Sequence, residues 1–518
     1  KEPHSSTAWR LDWTKWQSPT ASRRYADGSC VEMTSGSRVA VFSQSSVGAV
    51  NRFLPIVAEL VKQKCEVRYY ISDIAFQDAI QHAGARFVLF DDFSGRWPVL
   101  LDEEHMFSDH TQDAQLARPP ELQDLACDGV ELFEIEKYFY SIPTGVCLAK
   151  RLLQLWEAEA AEAWVPALVL YGVADLHPFL VSAKLGIPCV AVVPCFAVDL
   201  RPSCLPSEKW DVWQARIKQC KLLQAANAVA LQEFHTDVLA EHWPCKFFSR
   251  WLNIVVSLEC LESEILDLEQ PWMRRLSFAW VGFTGNQTFH INGVFVRDPH
   301  KIHRLSSDIS AVDCPWRMPL PGGVRILVVS LGSRIVGEGW EEKQASGITG
   351  RDFSRRLWRE LVDFFRGRND VRVVLAIGPQ PDAAQGLGRI PGNFIARRSI
   401  AQMDALSRAS AFITHGGGNS VMEGLLAGVP MVLVPFSSDN YPISKVIERS
   451  GAGVVFWKPM EAETKAIAKA SHAAMFGESG VAQRLRSQEL GAKLHAAGGP
   501  AAAAEVCLEQ LMTTRLAL

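Results

Sequence analysis

Residues 411–440 read AFITHGGGNSVMEGLLAGVPMVLVPFSSDN, and the order of residue types along them decides the fold. A short apolar run, AFIT, ends at His415 and three glycines, Gly416, Gly417 and Gly418. Apolar positions at helical spacing follow from about Asn419 to Ala427, and then a second strand-like run, PMVLVPF. Strand, glycine turn, helix and strand make a βαβ unit, whose two strands lie parallel in one sheet. In such sheets ligands collect beyond the carboxyl ends of the strands, where loops lead into helices. His415–Ser420 is such a loop. Glycines let backbone N–H groups approach a ligand that side chains would block, and a helix start offers unpaired N–H groups and the positive end of its dipole. Asn419 and Ser420 are predicted as the cap residues. Glu423, one turn on, is suited to ribose hydroxyls. The loop reads as a nucleoside-diphosphate pocket.

The same alternation runs outward in both directions. From Ser37, SRVAVFSQ reads as a strand, SSVGAVN as a small-residue turn, RFLPIVAELVKQKC as a helix and EVRYYIS as a second strand. Further strands are predicted at 86–90, 167–173, 188–193 and 253–258, with helices over Gly145–Ala163 and Glu208–Glu241. Residues 284–323 carry scattered Pro, Gly, His and Asp with little periodicity. The pattern then restarts with VRILVVSLGS, a helix from about Asp352 to Phe365, VRVVLAIG, NFIARR and a short helix at Met403–Arg408. The expected organisation is an arm at 1–36, a first Rossmann-like domain at 37–283, a linker at 284–323, a second Rossmann-like domain at 324–480 and a helical tail at 481–518. In the arm, Trp9, Trp13 and Trp16 stand at helical spacing, suited to docking on the body of the protein. The fold class is α/β, two doubly wound domains facing a central cleft.

Composition narrows the function. A chain of 518 residues exceeds the roughly 250–300 at which single cores stop growing. Its 48% apolar and 21% charged residues describe a packed, soluble chain. A net charge of −4 gives no bulk attraction to nucleic acid or anionic membrane. None of the 12 cysteines forms a C-x-x-C pair, so reduced thiols in a cytoplasmic protein are expected, with no metal site. No apolar stretch reaches the roughly 18–20 residues of a membrane span. The chain starts at Lys1 and not at Met, which leaves a removed upstream segment open.

The 411–440 stretch resembles the donor-binding motif of UDP-glycosyltransferases of the GT-B fold, with bacterial macrolide and plant secondary-metabolite enzymes the nearest group. The similarity extends to VVSLGSR at 328–334, NFIARRSIAQMDAL at 393–406, the strand–turn–helix at the start of the first domain and LVLYGVADLHPFLVSAKLGIPCVAVV. It covers most of 37–460. The resemblance implies that His415 contacts a phosphate, with Gly417, Gly418, Asn419 and Ser420 around it and Ser333 at the other end of the diphosphate. It implies that Glu423 holds the ribose, that Ile400 and Gln402 border the uracil, and that Asp439 and Asn440 bind the sugar hydroxyls. The implied reaction is inverting, metal-independent transfer of a hexose from a UDP-sugar, the co-substrate, to a hydroxyl of an apolar small molecule. No further cofactor is implied.

Departures from the pattern carry as much information. Ser399 stands where the uracil is usually stacked on Trp, and Ala401 where Pro is usual; losing an aromatic platform costs about 1–3 kcal/mol where bases stack. Inverting transfer needs a base for the acceptor's proton. The family's base position in the Gly48–Arg52 turn is Ala49, and its supporting Asp aligns with Gly172. Asp175 and His177, just beyond the same strand, are the nearest substitutes, and His105 and His110 lie in an acceptor loop. Two readings stay open: an active enzyme with a relocated base, and a glycosyltransferase-like protein that binds nucleotide-sugar or a small molecule without turnover. An engineered loss at Ala49 is a third, against which Gly172 argues.

Overall fold

Arg38–Phe42 forms strand β1, and its sequence RVAVF shows why it is internal. The four residues after Arg38 are buried, and they alternate between two cores. Val39 and Val41 pack with Val50, Phe53 and Leu54 of the Val47–Lys62 helix, whereas Ala40 and Phe42 pack with Ile142 and Trp156 of the Leu132–Ala161 helix. Burial on both faces is what a parallel sheet requires. The remaining strands of this sheet are β2 (Glu66–Ile71), β3 (Arg86–Leu89), β4 (Leu168–Gly172), β5 (Cys189–Val193), β6 (Leu252–Val255) and β7 (Phe278–Trp280), in the order β3-β2-β1-β4-β5-β6-β7 with every pair parallel.

A second parallel sheet repeats the scheme with β8 (Arg325–Ser330), β9 (Val371–Ala376), β10 (Phe394–Arg397), β11 (Ala411–Thr414), β12 (Met431–Leu433) and β13 (Gly453–Val455), ordered β10-β9-β8-β11-β12-β13. Leu327 and Val329 of β8 face Phe353, Leu357 and Leu361 of the Gly350–Phe365 helix, which opens on a capping box between Thr349 and Asp352. Ile326 and Val328 face the opposite core, with Val421 and Leu425. The computed structural model describes residues 36–90, 132–161, 164–193, 219–239, 247–262, 276–284, 316, 322–341, 347–385, 387–436, 440–459 and 464–517. All of these belong to one compact unit, Ser35–Leu518. Of the expected linker, Thr284, Trp316, Gly322 and Gly323 are described. The three tryptophans of the arm, His105, His110 and Asp439 lie outside the described residues.

Local sequence misplaces several boundaries. The helix expected from Gly145 begins at Leu132 and runs through Pro143, carried past the proline by the buried neighbours Ile142 and Val146. The described part of the helix expected over 208–241 is Lys221–Phe234. The tail expected as one helical segment from 481 is two helices, Glu478–Ala496 and Gly499–Ala517, separated at the pair Gly498 and Gly499, both with positive φ; a further helix, Thr464–Phe476, precedes them and ends before Gly477.

These last helices tie the sheets together. Gly282, just after β7, has φ 74°, and a Cβ there would lie 2.5 Å from the Leu494 carbonyl oxygen. The Gly499 N–H donates to the Val281 carbonyl at 2.6 Å. The final helix packs on Val47–Lys62, where Ala503, Cys507 and Leu511 share a core with Val50, Leu54 and Val57. Trp316 is buried as well, its indole N–H donating to Asp404 at 2.6 Å and its carbonyl accepting from Arg408. No described helix is long and apolar enough to cross a membrane. Leu511→Ala empties part of this seam, so it is expected to cost about 2–5 kcal/mol. Urea unfolding should show a lower midpoint, with both sheets lost in one transition.

Candidate functional site

In the second sheet, β9 and β10 lie on one side of β8, and β12 and β13 lie beyond β11 on the other. The loops leaving β8 and β11 therefore part at their carboxyl ends, where Ser330 stands opposite Thr414, and open a crevice between them. Leu331, Gly332 and Ser333 enter from β8, and His415, Gly416 and Gly417 from β11. The β8 loop is anchored farther along, where Gln380 donates to the Gly337 carbonyl and the Trp340 indole donates to Asp382, each at 3.0 Å.

His415 lies at the bottom of the crevice, 7% exposed, with its ring between Gly332 and Gly417. A Cβ on either glycine would overlap the imidazole, and Gly332 also has φ 72°. Gly416 answers a different constraint: at φ 83° its Cβ would meet the Ser444 hydroxyl at 2.5 Å. Nδ1 of His415 is sealed from solvent and has no hydrogen-bond partner among the described residues. Burial lowers the pKa of the ring to about 4, so at neutral pH it is uncharged, with one N–H donor and one acceptor.

The helix itself starts one residue earlier than expected, at Gly418, and runs to Leu426. Its N-cap is Gly417, in extended conformation, so Asn419 and Ser420 lie in the first turn and cap nothing. A glycine cap supplies no side-chain acceptor, which leaves the first-turn N–H groups open to a ligand. The Asn419 side chain has a separate part to play. Its amide N–H₂ donates to the Gly48 carbonyl at 3.1 Å, reaching the first domain, while Oδ1 stays buried and unpartnered among the described residues.

Gln402, expected beside the base, links two of the other candidates. Its amide donates to Ser420 Oγ at 3.2 Å and to the Glu423 carboxylate. Burial raises Glu423 to about 7, against a lowering by that hydrogen bond. Ile400 is partly buried against the core, while Ser333 and Ser399 are exposed. Asn440 is buried at the start of the Asn440–Ser450 helix. Sequence reasoning missed Gly332, the Gly48 carbonyl and the Gln402 clamp; of these only Gly332, a glycine just past a strand, left a local signal.

Comparison with known proteins agrees with this geometry. Residues 393–475 match the family described as UDP-glucoronosyl and UDP-glucosyl transferase. An uncharacterized UDP-glucosyltransferase, YojK of Bacillus subtilis, is 37% identical over 140 residues, 27% of this chain and 33% of that protein. The first curated relatives are matched over a third or less of their own length. The oleandomycin glycosyltransferase of Streptomyces antibioticus is 23% identical over 493 residues, 92% of each chain. The crystal structure of the glycotransferase of kitacinnamycin superposes with a TM-score of 0.61 at 20% identity, covering 92% of this chain and 99% of that one. Over residues 393–475 the chain is similar to the UDP-glycosyltransferase family. Its fold is GT-B.

The first domain's side of the cleft differs from expectation in one local respect. Gly48, Ala49 and Val50 are not a loop but part of the opening turn of the Val47–Lys62 helix, capped by Ser46, whose hydroxyl accepts from the Ala49 N–H at 3.3 Å. Gly172 ends β4, and Asp175 and His177 follow at the start of the Leu176–Leu185 helix. His177 stacks on Phe90 at 5.6 Å and meets the edge of Phe42 at 5.4 Å; burial lowers it to about 3.

Glu423 yields a stability prediction. Its folded value near 7 lies above the ordinary 4.5, so the folded protein keeps a proton that the unfolded chain has already released. Stability should fall as pH rises from about 4.5 through 7. Glu423→Gln removes that contribution, and thermal melts at pH 5 and pH 8 should lie closer together than in the parent.

Proposed function

We propose that this protein transfers a hexose from a UDP-sugar to a hydroxyl of an apolar small molecule, with inversion and without a metal. The observation that carries the reading is the β8–β11 crevice, where a neutral, unpartnered His415 and a helix start without a side-chain cap converge beside Glu423. Backbone N–H groups of Gly418, Asn419 and Ser420 would neutralise the diphosphate, a task given to a divalent cation in other transferases. The helix end contributes about 0.3–1 kcal/mol, up to about 2 when partly buried. Hydrogen bonds to a charged group add roughly 1.5–3 kcal/mol each. Ser333 would meet the other end of the diphosphate, Glu423 and Gln402 the ribose edge, Ile400 the base, and Asp439 and Asn440 the sugar. With Ser399 exposed where an aromatic would stack, base preference is expected to be loose.

Binding without turnover is the second reading. It is favoured by Ala49, which leaves no titratable side chain at the third helical position, and by the Asn419–Gly48 bond spanning the cleft. Calorimetry with UDP and a transfer assay with UDP-glucose over phenols, sterols and macrolides separate the two. His415→Ala is expected to weaken UDP binding about 10–100-fold, the loss of one charge-assisted bond of about 1.5–3 kcal/mol. Gly332→Ala should weaken it in the same direction by displacing the ring, and transfer should persist in EDTA. Absence of UDP binding by the parent sinks both readings, while binding without transfer leaves the second.

A further inference from the structure

The first sheet has a crevice of its own, where its strand order reverses. Strands β2 and β3 lie to one side of β1, and β4 and its successors lie to the other, with Phe42 opposite Tyr171 at the paired ends. The loops that leave these ends carry Ser43–Ser46 and Val173–Asp175. The Asn419 amide on the Gly48 carbonyl sets this end against the β11 end of the second sheet, across one cleft.

Asp175 in this crevice behaves unlike a structural aspartate. It stands at the N-cap of the Leu176–Leu185 helix with extended backbone, φ −97° and ψ 98°, yet its side chain makes no capping hydrogen bond. Its carboxylate turns back over Gly172 instead, and a Cβ on residue 172 would lie 2.6 Å from Oδ2. The glycine is what admits the carboxylate. Oδ2 is sealed and has no hydrogen-bond partner among the described residues, while the residue as a whole keeps part of its surface open. A buried, unpaired carboxylate oxygen that forgoes its own helix cap calls for a reason outside the packing.

The described surroundings offer it no counter-charge. The Tyr69 hydroxyl of β2 is engaged with Ser43 Oγ at 2.7 Å. The phenol of Tyr69, and that of Tyr171 on β4, are raised by burial first, with the Asp175 charge adding to the rise. On its own helix, His177 is held neutral by burial between Phe42 and Phe90.

We infer that Asp175 is the group that accepts the proton of the attacking hydroxyl, an assignment that rests on the transfer reading of the donor site. In the step, the acceptor O–H proton passes to the Asp175 carboxylate as the acceptor oxygen bonds the anomeric carbon. The bond from that carbon to the diphosphate oxygen breaks, and its electron pair leaves with UDP toward His415 and the Gly418–Leu426 helix start. Asp175 thereby fills the space that any side chain at 172 would take and does the work that Ala49 cannot.

The test uses Asp175→Asn and Gly172→Ala in the full chain, with UDP-glucose and two acceptors, an aliphatic alcohol and 4-nitrophenol. Asp175→Asn should lower kcat with the alcohol about 100-fold or more, within the range for removal of a general base. KM and UDP affinity should stay within about threefold, and the loss should be under about tenfold with the more acidic phenol. Burial raises Asp175 to about 7, against a lowering by a backbone hydrogen bond at Gly172. The parent's kcat/KM should therefore climb as pH rises through about 7, and the Asn variant should lose that limb. Because the folded value lies above the ordinary 3.8, ionisation destabilises the folded state as pH rises through about 7, so the Asn variant should melt no lower than the parent at pH 8. A merely structural carboxylate would give the opposite melt. Gly172→Ala pushes the carboxylate out of its place and should lower kcat with UDP affinity intact, which decides the matter should Asp175→Asn fail to fold. Turnover by Asp175→Asn within about threefold of the parent, or a retained pH limb, overturns the assignment. UDP bound by the parent with no transfer to either acceptor overturns it too, while leaving the donor site standing.

Discussion

The seam between the final helices and the end of β7 holds the two sheets to one geometry, and the cleft between them depends on it. Gly282 against the Leu494 carbonyl leaves no room for any side chain, and the Gly499–Val281 hydrogen bond fixes the next turn. The last helix then crosses back to pack on Val47–Lys62, so residues from the end of the chain complete the core under its first strand. Parallel sheets direct the starts of their following helices to one edge. With the sheets held by this seam, the helix starts at Val47 and Gly418 come near enough for Asn419 to reach Gly48.

Among the described residues, the cleft holds His415, Glu423 and Asp175 against their charged forms. Burial lowers His415 and raises Glu423 and Asp175. Such groups cost stability, since each forgoes solvation without gaining an ion partner. Perturbed groups gathered at the reversal points of two sheets are characteristic of working sites. The second sheet's group is built around glycines that admit an imidazole, and the first sheet's around a glycine that admits a carboxylate.

Much of this was legible along the chain. The strand–glycine–helix order at 411–440 identified the βαβ unit, its parallel sheet and the crevice beyond it, because those features follow from periodicity and from what glycine permits. Misreadings fell where distant packing overrides local preference. The helix read from Gly145 runs back through Pro143 to Leu132, with Ile142 and Val146 buried on either side of the proline. Asn419 reads as a cap until a carbonyl 371 positions away takes its amide. Nothing local to Gln402 sets it between Ser420 and Glu423; only the fold does.

The sequence by itself determined the fold class, the doubling of the Rossmann-like pattern and the residue types in the His415–Ser420 loop, since hydrophobic period and backbone freedom are local properties. It also determined that Ala49 cannot take a proton. Only the tertiary structure decided which way Asp175 and His177 face. Both stand at the start of one helix, two positions apart, and local chemistry treats them alike as loop or cap residues. Packing separates them: Phe42 and Phe90 enclose the imidazole, whereas the bare backbone at Gly172 opens the crevice to the carboxylate. That distinction depends on the neighbouring strand and the absence of one Cβ, and neither is a property of the local stretch.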